Sequence, residues 1–171
     1  MQTGLIKQIK QLFLKELNLI GNPLEMSQTY LSFLVEHSTL WKGAKDLLKQ
    51  LSPDDQMAGS TNGVKEVQRP RLALTQIDHY FKTIVVSDEI GVAKPQSGFF
   101  DYTFEQIQQP PKNRVLVIGD SLNSDMKGGQ NYGVDTCWFN PLGKGNLTEV
   151  VPTYESRTLR DLVDNVLDLR V

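Results

Sequence analysis

Residues 114–125, Arg-Val-Leu-Val-Ile-Gly-Asp-Ser-Leu-Asn-Ser-Asp, decide how the rest of the chain is read. Val115, Leu116, Val117 and Ile118 form an apolar, β-branched run too short for a helix, which reads as a buried strand. The run ends in a glycine turn that carries Asp120 and Asp125. In open parallel α/β sheets ligands gather at the carboxyl ends of the strands. Two carboxylates there, without matching bases beside them, suit a hard divalent cation such as magnesium. Taken alone, the segment also fits a polar turn that caps the next helix.

Downstream, a short helix is predicted over 124–132, closed by Gly133. Gly128 and Gly129 inside it each cost about 1 kcal/mol relative to alanine, which points to a close backbone approach. Residues 134–139 are predicted as the last strand, stopped by Asn140 and Pro141. Thr158 with Asp161 resembles a capping box at the start of a final helix, whose buried stripe is Leu159, Leu162, Val163, Val166 and Leu167.

Upstream, residues 83–87 (Thr-Ile-Val-Val-Ser) form a second good strand. The loop after it ends in Lys94-Pro95, and Pro95 is placed to open a helix over 96–108, so that Lys94 is presented from a loop. A weak strand over 57–60 precedes Thr61-Asn62-Gly63 and a helical segment running to about residue 76, in which Pro70 is expected to cause a kink or a break. Residues 44–51 read as a short helix and 52–55 as a turn. Before residue 40 the pattern is helical only. Leu5, Ile9, Leu12, Phe13, Leu17 and Ile20 fall on one helical face, Gly21-Asn22-Pro23 breaks that helix, and a second follows from about Ser27 with Tyr30, Leu31, Leu34 and Val35 at helical spacing. This gives a helical region over 1–40 and, over 41–171, an α/β core with a Rossmann-like parallel sheet.

The 171 residues allow one domain with a real core and a small appendage. A formal net charge of −2 and the lack of a basic run argue against a nucleic acid partner. The single cysteine, Cys137, has no internal partner for a disulfide and reads as a small buried apolar residue in a reducing compartment. No stretch of about 18 apolar residues is present, and residues 1–10 lack a signal-like apolar core, so no membrane partner is expected and the cytoplasm is the default location. Oligomeric state is not legible.

Three features fall after three successive strands: Thr61 with Asn62, then Lys94, then Asp120 with Asp125. All should face one edge of the sheet. A hydroxyl and backbone amides at a helix start can hold phosphate oxygens, a lysine can neutralise their charge, and the carboxylates can hold magnesium. Thr61 and Asn62 also fit simple helix caps, and Lys94 a solvated loop lysine.

These residues in this order resemble the haloacid dehalogenase-like (HAD) phosphohydrolases, through Trp41-Lys42-Gly43-Ala44, Ser60-Thr61-Asn62-Gly63, Gly91-Val92-Ala93-Lys94-Pro95 and residues 119–125. Residues 126–130 and 135–141 are similar to the small pyrimidine 5'-nucleotidases and their bacterial relatives. The resemblance implies a HAD-like core with a partial N-terminal helical cap, Mg2+ as cofactor and a small phosphorylated metabolite as substrate, with a nucleoside 5'-monophosphate the first guess. It gives Thr61 the role of binding the transferred phosphoryl group, Lys94 that of the third motif, and Asp120 with Asp125 that of the metal-binding acids, with Asn62 beside Thr61 at the substrate. Family members also open with a strand ending in Asp-x-Asp-x-Thr, whose first aspartate attacks phosphorus. No Asp-x-Asp occurs in this sequence, and Asp54 and Asp55 precede their strand, so no residue takes the nucleophile role.

In the family the missing strand lies between those predicted at 57–60 and 115–118. Without it their edges and apolar faces are exposed, which predicts aggregation or rearrangement. The expected explanations are a segment upstream of Met1, a truncated gene product, or a strand supplied by another polypeptide. The alternative to a hydrolase is a catalytically incomplete remnant that binds magnesium, a phosphorylated ligand or a protein partner. A phospho-accepting receiver domain fits less well, because it needs an acceptor aspartate on a strand ahead of Thr61.

Overall fold

Alternation sets the two faces of the sheet. In the computed structural model, which describes residues 2–18, 20–51 and 56–164, Val117 faces Phe99 and Phe100, whereas Leu116 faces Cys137 and Leu162. The described elements run α1 (Gln2–Glu16), α2 (Pro23–Glu36), α3 (Ala44–Leu51), β1 (Ala58–Thr61), α4 (Lys65–Thr75), β2 (Thr83–Val86) and the short α5 (Ser87–Ile90). They continue with α6 (Ser97–Gln106), β3 (Leu116–Gly119), α7 (Lys127–Tyr132), β4 (Asp135–Phe139), β5 (Tyr154–Ser156) and α8 (Leu159–Leu162). This is an α/β fold, and every strand pairing in it is parallel.

The strands form two sheets rather than one. β1 pairs with β2, Ala58 opposite Thr83, and β3, β4 and β5 form a separate sheet in that order, Leu116 opposite Asp135 and Cys137 opposite Tyr154. The break falls between β1 and β3, where the family resemblance puts its missing strand. Ile118 on β3 is 42% exposed there. Helix α6 spans both parts from one side, since Phe99 and Phe100 pack with Val85 of β2 and with Val117 of β3. On the other side Leu162 of α8 and Leu47 of α3 cover Cys137, Leu116 and Tyr154.

Several expectations are met in detail. A side chain at Gly128 would put its Cβ 2.5 Å from Phe100 Cε2 and 3.2 Å from Pro95 Cα, and one at Gly129 would lie 2.6 Å from Thr136 Cγ2. These glycines are what lets α7 approach α6 and β4 so closely. Gly133 closes α7 in the left-handed region with φ 82°. The Thr158 hydroxyl accepts a hydrogen bond from the Asp161 amide at 3.0 Å, as the cap predicts. Cys137 is fully buried.

Others are corrected. β4 is not the last strand: β5 follows it, a three-residue strand formed by pairing alongside β4. Pro23 does not separate the first two helices but opens the second, at the position where a missing amide costs nothing, with the Asn22 side chain accepting from the Leu24 amide. Helix α4 continues through Pro70, which is exposed and withdraws one amide from the middle of the helix without ending it. The predicted stripe of α1 is not its buried face. Ile9, Leu12, Phe13, Leu17 and Ile20 are exposed, and the buried residue is Leu14. Helix α2 reaches the core with Leu31, which packs on Val64 and Val67 of the α4 region with Leu34 and Val35 beside it. Residues 52–55, Val166 and Leu167 lie outside the described residues, and so do the side chain of Leu5 and the turn expected at 52–55.

Candidate active site at the sheet edge

Lys94 is the centre of the site. It sits in the loop between α5 and α6, and its side chain is only 6% exposed. The Nζ donates to the Ser60 carbonyl at 2.9 Å and to Ser60 Oγ at 3.2 Å, and it meets Asp125 Oδ1 at 2.7 Å. Three donors thus have three acceptors, as a buried ammonium requires. The contacts come from both sides of the break: Ser60 lies on β1 and Asp125 follows β3. One lysine therefore ties the two sheets together at their carboxyl ends.

Asn62 holds the loop that presents it. Its Nδ2 donates to the Lys94 carbonyl at 2.8 Å, and its Oδ1 accepts from the Lys94 amide at 2.9 Å. The side chain expected at the substrate is thus turned to the backbone of Lys94, and its role in the structure is to fix that backbone. The Lys94–Pro95 peptide bond is cis. Beside it, the Gly63 amide donates to Ser87 Oγ at 3.1 Å, which joins the loop after β1 to the end of β2.

The acidic side is built by a wide helical turn. Residues 122–126 form a π-helical turn, with the Met126 amide reaching back to the Ser121 carbonyl at 3.1 Å. Ser121 caps it, its hydroxyl accepting from the Ser124 amide at 3.2 Å, and its own amide donates to Asp125 Oδ2 at 3.2 Å. Asp125 is consequently held at both carboxylate oxygens. Gly119 leaves room for it, because a Cβ at that position would lie 2.5 Å from the Asp125 carboxyl carbon. The Asp120 side chain is exposed, while its carbonyl accepts from Trp138 Nε1 at 3.1 Å. Thr61 ends β1, half-buried, one residue beyond the Ser60 that holds Lys94.

The structure therefore brings Thr61, Lys94, Asp120 and Asp125 to one sheet edge. Sequence reasoning missed Ser60, Ser121 and Trp138. The signal for Ser121 was its place three residues before Ser124 at a helix start, whereas Ser60 and Trp138 act through partners distant in the chain. Cys137 takes no part: burial, with the nearby Glu155 charge adding to it, pushes its thiol up to about 11.

A hard cation needs oxygen donors, and the donor set here is two carboxylates, one open to solvent and one already anchored by Ser121 and Lys94. Among the described residues no group of three acidic, histidine or cysteine side chains is placed to hold a metal ion. The two acids fit one flank of a magnesium site.

The model of the family described as haloacid dehalogenase-like hydrolase matches residues 3–139. The chain belongs to that family. It is 42% identical over 149 residues to the HAD-hydrolase YfnB of Bacillus subtilis, covering 87% of this chain and 63% of that protein. To the pyrimidine 5'-nucleotidase PynA of Streptococcus pneumoniae it is 36% identical over 140 residues, covering 81% and 59%. To the pyrimidine 5'-nucleotidase YjjG of Escherichia coli it is 35% identical over 140 residues, covering 82% and 62%. The chain thus spans about three-fifths of the length of these relatives. A crystal structure of YfnB bound to magnesium superposes with a TM-score of 0.82 at 40% identity, covering 93% of this chain and 69% of that one. Among the described residues no helix is long and apolar enough to cross a membrane.

Proposed function

We propose that this chain carries the phosphate- and magnesium-binding part of a HAD-type hydrolase of small phosphomonoesters, with nucleoside 5'-monophosphates the first substrates to try. The observation that carries this reading is the gathering of Thr61, Lys94, Asp120 and Asp125 around one edge, with Lys94 buried against Asp125 at 2.7 Å. The two pyrimidine 5'-nucleotidases among its relatives support the substrate class.

In this reading the Thr61 hydroxyl donates to a phosphoryl oxygen. Lys94 offsets the phosphoryl charge from a water-poor position, where a fixed cation acts more strongly than in solvent. A phosphoryl oxygen takes the place of Ser60 Oγ, the longest of the three Lys94 contacts at 3.2 Å. Asn62 keeps the Lys94 backbone in place during the exchange. Asp120 and Asp125 would hold Mg2+, which when bound neutralises phosphate charge and orients the ester. The acceptor of the phosphoryl group is not assigned to any residue of this sequence.

Calorimetric titration of the chain with Mg2+ in the presence of inorganic phosphate should give saturable binding that Asp120→Asn removes. The natural protein isolated from its source should release phosphate from an aryl phosphate and from a pyrimidine nucleoside monophosphate, and chelation of Mg2+ should stop it. Failure of both measurements overturns the reading. Mg2+ and phosphate binding without turnover by the natural protein would favour the binding remnant instead.

A further inference from the structure

Asp120 and Asp125 reach the sheet edge by different routes, and one residue is joined to both. Trp138 lies on β4 opposite Gly119, the last residue of β3. Asp120 comes next, one residue past the ladder, where strand pairing no longer sets the direction of the chain. The buried Trp138 indole donates from Nε1 to the Asp120 carbonyl at 3.1 Å. Its ring forms one buried cluster with Met126 and Val150, and Leu122 packs against that cluster. Leu122 and Met126 are the first and last residues of the π-helical turn that carries Asp125. A single side chain is thus bonded to the backbone of one acid and belongs to the cluster that seats the turn of the other.

We propose that Trp138 is a positioning residue for magnesium, which holds the backbone of Asp120 at a fixed spacing from Asp125. This role rests on the reading of the two acids as magnesium ligands. The acids are fixed in unequal ways. Asp125 is held at both carboxylate oxygens, by the Ser121 amide and by Lys94. The Asp120 carboxylate is open to solvent, so its peptide is the part of it that the protein fixes, and the indole supplies the bond. Packing alone does not call for an indole at this position, since an apolar ring without a donor fills a core and needs no acceptor. Magnesium demands near-octahedral geometry, so the spacing of its ligands matters, and groups that orient metal ligands from behind typically change metal affinity by about tenfold or more when removed.

The test uses the full chain, with Mg2+ and inorganic phosphate as the probes. The sequence has two tryptophans, so isotope labelling of nitrogen gives two indole signals, which Trp41→Phe tells apart. Titration with Mg2+ at saturating phosphate should move the Trp138 indole signal, and Asp120→Asn should abolish the movement. In the Trp41→Phe chain, Trp138 is then replaced by benzothienylalanine, in which a sulfur stands where the indole N–H was. The exchange keeps the size of the ring and removes the donor. Calorimetry should show Mg2+ binding weakened about tenfold against the Trp41→Phe chain, with the rest of the amide spectrum in place. Trp138→Phe, which also leaves a gap in the cluster, should weaken binding at least as much and lower the unfolding temperature besides.

A benzothienylalanine chain that binds Mg2+ as tightly as its parent means that the indole only packs, and overturns the proposal while the magnesium reading stands. So does a Trp138 signal that stays in place while calorimetry records binding. A loss confined to Trp138→Phe traces to the gap in the cluster and overturns the proposal in the same way. If the parent chain binds no Mg2+, the magnesium reading fails and the positioning role falls with it.

Discussion

The two sheets that flank the break are held in different ways. Behind β3 the elements are closely packed: Met126 and Trp138 are buried with Val150, and α7 is drawn in on two glycines until no room is left for a Cβ. Neither β1 nor β3 itself has a fully buried residue, and on the β1 side the apolar residues Ile9, Leu12 and Phe13 of α1 look into solvent. The elements behind the acidic half of the site are thus set by packing, whereas the half proposed to bind phosphate is set by a few polar bonds that run through Lys94 and Asn62. Substitutions should therefore act by different mechanisms on the two sides, and the measurements that follow are chosen to break that contrast.

The largest effect belongs to the group that joins the flanks. Lys94→Met removes the cation and leaves Asp125 buried with only the Ser121 amide for company, which should cost about 3 kcal/mol in urea unfolding. The double substitution Lys94→Met with Asp125→Leu should cost less than Lys94→Met alone, because the stranded carboxylate is gone as well. If the single change costs under about 0.5 kcal/mol, the level expected for an exposed surface site, the bridge is not what joins the two sheets.

Next comes the packed flank. Gly128→Ala would gain about 1 kcal/mol of helix propensity, but its Cβ would sit 3.2 Å from Pro95 Cα and within 2.5 Å of the Phe100 ring. The ring can turn; the proline backbone cannot. A net loss of about 1–2 kcal/mol is expected from overpacking. Ile9→Ser on the exposed face of α1 should change stability by less than about 0.5 kcal/mol. Reversal of this pair, with Ile9→Ser the costlier, would mean that the α1 face is covered in solution.

How much of this was legible follows from how local each cause is. The strand and turn at 114–125, the loop position of Lys94, the cap at Thr158 and the close approach at Gly128 and Gly129 all rest on near neighbours in sequence, and they were readable. The stripe on α1 was read correctly as a periodicity, but periodicity does not say whether a partner is present to cover it. β5 has only Tyr154, Glu155 and Ser156, too few for alternation to show, and exists because β4 offers an edge. Asn62 was read by its neighbour Thr61, while its side chain answers to a residue 32 positions away. Ser60 was hidden in the same way, by its 34-residue separation from Lys94.

Asn62→Ala sharpens the contrast on its polar side. It leaves the Lys94 amide and carbonyl without their partners, which should cost about 1–2 kcal/mol if water does not reach them. Magnesium binding at Asp120 and Asp125 should change little, whereas phosphate binding should weaken, because only the Lys94 loop is released. Equal losses for both ligands would show that the two halves are not separately held.

The smallest effect is expected at the outer rim of the β1 side, where Arg69 makes a two-pronged contact with Glu89, at 3.0 and 2.7 Å, and also donates to the Ile84 carbonyl at 3.0 Å. The hydrogen bonds from Arg69 hold the Glu89 carboxyl below its ordinary value, against a smaller opposing effect of burial. A carboxyl lowered by folding contributes stability that is fully present above its unfolded value, near 4.5, and is lost as pH falls through the lower folded one. Both side chains are partly exposed, so screening limits the contribution to about 1 kcal/mol or less. Glu89→Gln should therefore lower the urea midpoint slightly at pH 7 and not at pH 3, and added salt should shrink the difference at pH 7. A difference that survives at pH 3 would place the contribution of Glu89 in packing rather than charge, and the contrast between a packed flank and a polar one would lose its outermost example.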